Sequence, residues 1–336
     1  MLNDRDIDRI RKSGGSVEIG TNEDGAIVEL FGVNGRLIII KERSIYEVQY
    51  ADKIDPERKI VTLPPIFHKL IINKGTESEI VSRILITAKT ILKQEYLKEN
   101  IDCDVILSLL IDVLSEFSIL EEEITSYKQA EKEASIEYER RKTEKQSFQL
   151  PTIVNLESRC KTIFQKADQI EQILMEIATV FLPIQDLTKQ SHFPKLYEVL
   201  KSEYGVKDPF TKFIEDTVYF MRIIRELRNG FDHRLSTVKI TNFEIQSDGN
   251  ILTPTIEFTH KDIKLNRTDL REFLEVVQSN LVLISEMFLV HFSAKNIKTT
   301  GTQCIIREIP EEKRLNKFVR FCFCLPMKGG YYYCQK

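Results

Sequence analysis

The sequence carries no strong excess of either charge. Its formal net charge is −3 over 336 residues, so no overall field draws polyanions in, and any nucleic-acid contact must come from a local patch. That argues against a general nucleic-acid coat protein. A disulfide framework is missing as well, because Cys103, Cys160, Cys304, Cys322, Cys324 and Cys334 are scattered without the spacing of a small stapled domain. No cleavable apolar leader follows the charged start MLNDRDIDRIRK, and a cytoplasmic location is expected. The most apolar segment, LVLISEMFLVHF at 281–292, is too short to span a bilayer and contains Glu286, so no membrane helix is expected. Two cofactor signals also fall short. Gly14-Gly15 lacks the further glycines and the Lys-Ser/Thr of a phosphate loop and reads as a turn. Cys322, Cys324 and Cys334 lack a Cys-x-x-Cys knuckle and a fourth ligand, so they read as core or edge-strand cysteines, and no metal or cofactor is expected.

What is present is 42% hydrophobic residues, enough for two domains or one enlarged one. Residues 15–50 alternate, as in Val17-Ile19, Ile27-Glu29-Phe31 and Leu37-Ile39, with breaks at Glu23-Asp24-Gly25 and Asn34-Gly35, which predicts a small antiparallel sheet. Thr76 with Glu79 forms a capping box for a helix running to about Lys98. A longer helix begins near Asp104, with Ile106, Leu110, Val113, Phe117, Leu120, Ile124 and Tyr127 on one seam. Its continuation, KQAEKEASIEYERRKTEKQ, reads as a solvated arm or linker. A second reading makes Arg140, Arg141, Lys142 and Lys145 a basic edge for RNA, with Tyr138 stacking on a base.

A helix over about 155–182 buries Leu156, Cys160, Ile163, Ala167, Ile170, Leu174, Ile177 and Phe181 on one face, and Pro183 stops it. A short helix around Leu196–Glu203 follows. Residues 236–265 change to period two and predict a hairpin, and Thr268 or Asp269 caps a last long helix. That helix is apolar on more than one side through Val276, Leu283 and Met287, so neighbours are expected on two sides, a second chain being one candidate. The tail holds strand-like runs QCIIREI, KFVRFCFCL and YYYCQ.

The chain is organised around residues 207–234. As a helix this segment puts Phe210, Ile214, Val218, Met221 and Ile224 on one stripe, and the next place on it is Arg228. A guanidinium following an apolar face inward is costly unless a carboxylate, a phosphate or a wet groove receives it. His233 comes five residues later and stacks above Asn229 on an unbroken helix. Gly230 is the natural place for the helix to relax and swing His233 back toward Arg228. His68, His192, His260 and His291 lack such a partner set and read as structural or solvated. On spacing alone, Arg228 and His233 also fit a helix end where cations favour the dipole and Asp232 pairs with Arg228.

The run Arg228-Asn229-Gly230-Phe231-Asp232-His233 resembles the motif of the HEPN superfamily, in which an Arg, usually followed by Asn, precedes a His. The resemblance covers about 151–293. It leaves the first 75 residues and the last 40 unexplained and implies a HEPN-like helical bundle at 151–293. With the spacing read above, a mainly α fold is expected, the bundle extended by helices over 76–150, with small antiparallel β elements at the N-terminus (1–75), before the last long helix, and in the tail (294–336). The resemblance further implies a homodimeric, metal-independent endoribonuclease, a toxin or phage-defence effector, with an antitoxin or defence-system protein as partner. In that chemistry a 2′-hydroxyl attacks phosphorus, His233 serves as base or acid, Arg228 holds the non-bridging oxygens, and Asn229 orients the imidazole or the phosphate. The implied product is a 2′,3′-cyclic phosphate. Arg222, Arg225 and Arg234 are the nearest cations for guiding RNA, while Glu226 and Asp232 are placed to tune or lock Arg228. Two rival readings are a HEPN-like binding or sensor module without turnover, and a helical scaffold whose N-terminal sheet recognises another protein.

Overall fold

A computed structural model describes residues 4–12, 17–60, 62–141, 149–233, 237–299 and 304–335. The chain divides into two compact units, one of residues 1–115 with 296–336, the other of residues 116–295. Gly14-Gly15, Lys142, Lys145 and Arg234 lie outside the described residues.

The first unit opens with α1 (Asp4–Lys12), tied down by Arg11 to Asp52 at 3.2 Å and Asp55 at 3.1 Å. Strands β1 (Ile27–Val33), β2 (Arg36–Lys41) and β3 (Ile45–Tyr50), the short α2 (Ala51–Ile54) and β4 (Ile66–Ile72) form an antiparallel meander in the order β1-β2-β3-β4. Asn34 and Gly35 take φ +47° and +68°, the left-handed pair that a two-residue hairpin demands. Val17–Ile19 is not a strand. Ile19 instead packs on one face of the sheet with Ile39, Tyr46 and Val48, while Ile38, Ile40 and Ile45 are fully buried.

Next come α3 (Glu79–Val81), a π turn (Ser82–Ile86) and α4 (Thr87–Ile91). Ser78, not Thr76, occupies the cap, and Thr76 N–H donates to the Lys41 carbonyl at 3.1 Å, so the expected capping box is replaced by a tie to β2. The helix ends at Ile91 rather than Lys98.

Helix α5 (Cys103–Arg141) enters the second unit at residue 116, and its expected seam from Ile106 to Tyr127 is buried throughout. α6 (Leu156–Phe181), α7 (Phe193–Tyr204) and α8 (Pro209–Asp232) follow. Where one hairpin was expected there are five strands: β5 (Val238–Thr241), β6 (Glu244–Ile245), β7 (Ile251–Leu252), β8 (Thr255–His260) and β9 (Ile263–Asp269), arranged as a β5-β8-β9 sheet and a separate β6-β7 pair.

Asp269 caps α9 (Leu270–Lys295), accepting the Glu272 N–H at 3.0 Å. By length and composition α9 is apolar enough to cross a membrane, and 56% of its most apolar window is buried inside the chain. Leu281, Val282, Ile284, Glu286, Phe288 and Val290 are buried on more than one side of the helix, as expected, whereas Val276 and Leu283 remain 50% and 40% exposed. The tail returns to the first unit as β10 (Ile305–Glu308), β11 (Phe321–Met327) and β12 (Gly330–Cys334), one antiparallel sheet in that order.

The expectation of a mainly α bundle with minor β elements is therefore overturned. The chain is about 50% helical and 21% strand, with four separate antiparallel sheets, and is mixed α and β. The N-terminal sheet gains β4, and the single hairpin expected over 236–265 is a three-stranded sheet with a separate two-stranded pair.

Candidate functional site

The site is built at the end of α8. Asp208 starts that helix by accepting the Phe210 N–H at 2.9 Å, with Pro209 in the first turn. The helix then runs unbroken through Gly230 to Asp232. Gly230 is not a break: a Cβ there would lie 2.3 Å from Val238 Cγ2, so the glycine admits β5 against the helix. His233 follows as the cap residue at φ −93°, its N–H donating to the Asn229 carbonyl at 3.0 Å.

Positions five apart on an unbroken helix lie about 140° apart. The contacts bear this divergence out. Arg228 and Phe231 meet α6, through Asp168 and through a ring stack on Phe164 with centroids 5.8 Å apart. Gly230 and Glu226, one and two turns before His233, meet β5 and β8 instead. The helix does not relax at Gly230 as expected, and the hydrogen bond of His233 N–H to the Asn229 carbonyl keeps the backbone on its helical path.

Carboxylates receive Arg228. Its Nε lies 3.0 Å from Asp232 Oδ2 and 3.7 Å from Asp168 Oδ2, without an aligned hydrogen bond, and its Nη1 donates to Asn229 Oδ1 at 3.0 Å. Asn229 thus braces the guanidinium. The Arg228 side chain is 35% exposed, His233 is exposed, and Lys161 also reaches Asp232 at 3.1 Å.

Asp168 was not anticipated. Its side chain is 4% exposed, Gln172 donates to its Oδ2 at 2.7 Å, and its Oδ1 has no partner among the described residues. Burial pushes its carboxyl above the usual range, with the Glu171 charge adding to the rise and Arg228 and His192 opposing it. Buried Glu171 accepts the Phe193 N–H at 3.1 Å and lies 3.4 Å from His192 Nδ1. A sequence signal existed: Phe164, Asp168, Glu171, Met175 and Ala178 form a second buried stripe on α6 beside the recognised one.

The other expected residues are dispersed. Arg222 is held bidentately by Asp262 at 2.8 and 2.9 Å, and Arg225 has no ion pair among the described residues. Glu226 pairs not with Arg228 but with His260, whose Nδ1 is 2.8 Å from Glu226 Oε2. Tyr138 is buried, with its hydroxyl on the Gly249 carbonyl, and so cannot stack on a base. Arg140 and Arg141 both face Glu137. An open cleft of 530 Å³ bordered by Lys239, Lys264 and Arg267 includes no motif residue.

His291 lies flat on Phe210 at 5.1 Å, and burial lowers its pKa. Cys322 and Cys324 are buried with sulfurs 4.0 Å apart, and among the described residues no group of three or more His, Cys, Asp or Glu side chains is placed to hold a metal ion. No family model, curated protein or solved structure matches the chain.

Proposed function

We propose that the 116–295 unit is a metal-independent endoribonuclease of HEPN type, cleaving RNA by 2′-hydroxyl attack in a site shared by two copies. The observation that carries this reading is an exposed imidazole at the end of α8, one turn above Asn229, which braces a fixed and still accessible guanidinium. Preorganised cations beside a developing phosphorane charge contribute a few kcal/mol, and general acid–base catalysis typically adds about 10²–10⁴-fold. Because one helix turns Arg228 and His233 to different faces, a site using both takes the guanidinium from one copy and the imidazole from the other. The chain would act in the cytoplasm as a toxin or defence effector, restrained by a partner protein.

The test is cleavage of a mixed-sequence RNA oligonucleotide in excess chelator. The wild type should cut and leave 2′,3′-cyclic ends, while His233→Ala and Arg228→Ala should each lose at least about 10²-fold without a change in melting temperature. Cleavage at the wild-type rate by either variant would refute the assignment.

A second reading is favoured by the two carboxylates on Arg228, which offset much of the charge a phosphate would seek. It makes the unit a HEPN-like binding module without turnover. Saturable binding of the same RNA with no cleavage over hours would select it.

A further inference from the structure

We propose that His260, oriented by Glu226, is a second catalytic imidazole, the general base of the RNA cleavage, supplied by the same chain as His233. This rests on the endoribonuclease reading and supplies the second proton-transfer group that one motif lacks.

A carboxylate only accepts hydrogen bonds, so the 2.8 Å contact of His260 Nδ1 with Glu226 Oε2 makes Nδ1 the donor, and in the neutral imidazole the lone pair then sits on Nε2. Base and orienting carboxylate in this relation are the arrangement that abstracts a proton and stabilises the imidazolium that forms. Both side chains are partly exposed, 26% for His260 and 18% for Glu226, so the dyad is reachable from solvent. Neither group belongs to a salt bridge with another cation or anion among the described residues. The neighbouring charges, Arg222 and Asp262, satisfy each other.

Placement supports the pairing with His233. Glu226, Asn229, Gly230 and His233 occupy positions i, i+3, i+4 and i+7 of α8, one face of the helix. β8 lies along that face, with Phe258 3.9 Å from the Cβ position of Gly230 and His260 on Glu226. His233 and Glu226 are separated by about 10 Å of helix rise, so His233 and the Glu226–His260 pair lie on either side of Asn229 along the helix, suited to the two ends of one phosphodiester. Arg228 is turned toward α6 and meets this face only through its bond to Asn229 Oδ1.

In the step proposed, His260 Nε2 takes the proton of the 2′-hydroxyl as the 2′-oxygen bonds to phosphorus. The bond from phosphorus to the 5′-oxygen breaks, and protonated His233 gives its proton to that oxygen. The products are a 2′,3′-cyclic phosphate and a 5′-hydroxyl, with one proton moved onto His260 and one off His233. The second copy then contributes a guanidinium, since both imidazoles come from one chain.

The experiment uses the full chain, chelator and two versions of one RNA oligonucleotide, with an ordinary 5′-oxygen or a 5′-thio leaving group at the scissile position. A thiolate leaves without an acid. His260→Ala should lose about 10²–10⁴-fold on both substrates and regain part of the rate with free imidazole. His233→Ala should be impaired on the oxygen substrate and close to wild type on the thio substrate. Glu226→Gln, a positioning variant that keeps an acceptor for Nδ1, should lose about 10–100-fold, in the range found for partners that orient a functional His. His260→Ala cutting at the wild-type rate while His233→Ala fails would overturn this inference and leave the endoribonuclease reading intact. Loss in His260→Ala without imidazole rescue, or with a lowered melting temperature, would overturn it too, as a structural role. No cleavage by the wild type would end both.

Discussion

The two sides of the α8 terminus differ in how their charge is managed. Toward α6, Arg228 sits between a buried and a surface carboxylate and braces on Asn229, with part of its side chain still exposed. Toward the β5-β8-β9 sheet, His233 is exposed and His260 is oriented through Nδ1 by Glu226. The end of α8 therefore holds a fixed cation on one side and, on the other, its own exposed imidazole together with that of His260 from β8, and Gly230 between them serves packing. A stretch contiguous in sequence thus divides its contacts between two faces of one helix.

The largest structural effect that would sharpen this contrast is at Gly230. Gly230→Leu should cost about 2–3 kcal/mol by overpacking, because Val238 Cγ2 already occupies the space of a Cβ. Urea unfolding measures it. A variant at least as stable as the wild type would show that the glycine only loosens the helix, since replacing a helix-interior glycine otherwise gains up to about 1 kcal/mol.

A smaller effect is expected on the other side, at Asp168. Its folded pKa is raised, so the native state binds the proton more tightly than the unfolded chain does. The sign follows: its contribution is complete below the ordinary aspartate range and is lost as pH rises through the raised value. Unfolding free energy measured from about pH 4 to 7 should fall less steeply in Asp168→Asn than in the wild type. Equal slopes would mean that Arg228 fully compensates the buried carboxylate.

The helical seams were legible because each needs only local spacing. Ile106 to Tyr127 on α5, and Leu156 to Phe181 on α6, are buried as read. The Asn34-Gly35 hairpin was equally local. β4 was missed because IFHKLII alternates poorly, and its partner β3 is needed to show that it is a strand at all. At the site, residues 228–233 were found but their mutual geometry was not, because Gly230 fits both a helix end and a close approach, and only Val238 decides between them. Asp168 and His260 escaped for the same reason: their partners, Arg228 and Glu226, lie far off in sequence. The helical share was overestimated because strands of two to seven residues carry few periods, whereas a seam repeats over many turns.

The central claim, that Arg228 and His233 act together only across two copies, has a direct test in mixing two inactive proteins. His233→Ala and Arg228→Ala are each assayed alone in chelator on the same RNA, then combined under conditions that exchange subunits. The account expects each to be inactive alone and the mixture to recover up to about half of the wild-type rate per mixed dimer, since one of its two sites receives an intact pair. A mixture as inactive as its components, beside an active wild type, would place both residues in one chain's site and contradict the account.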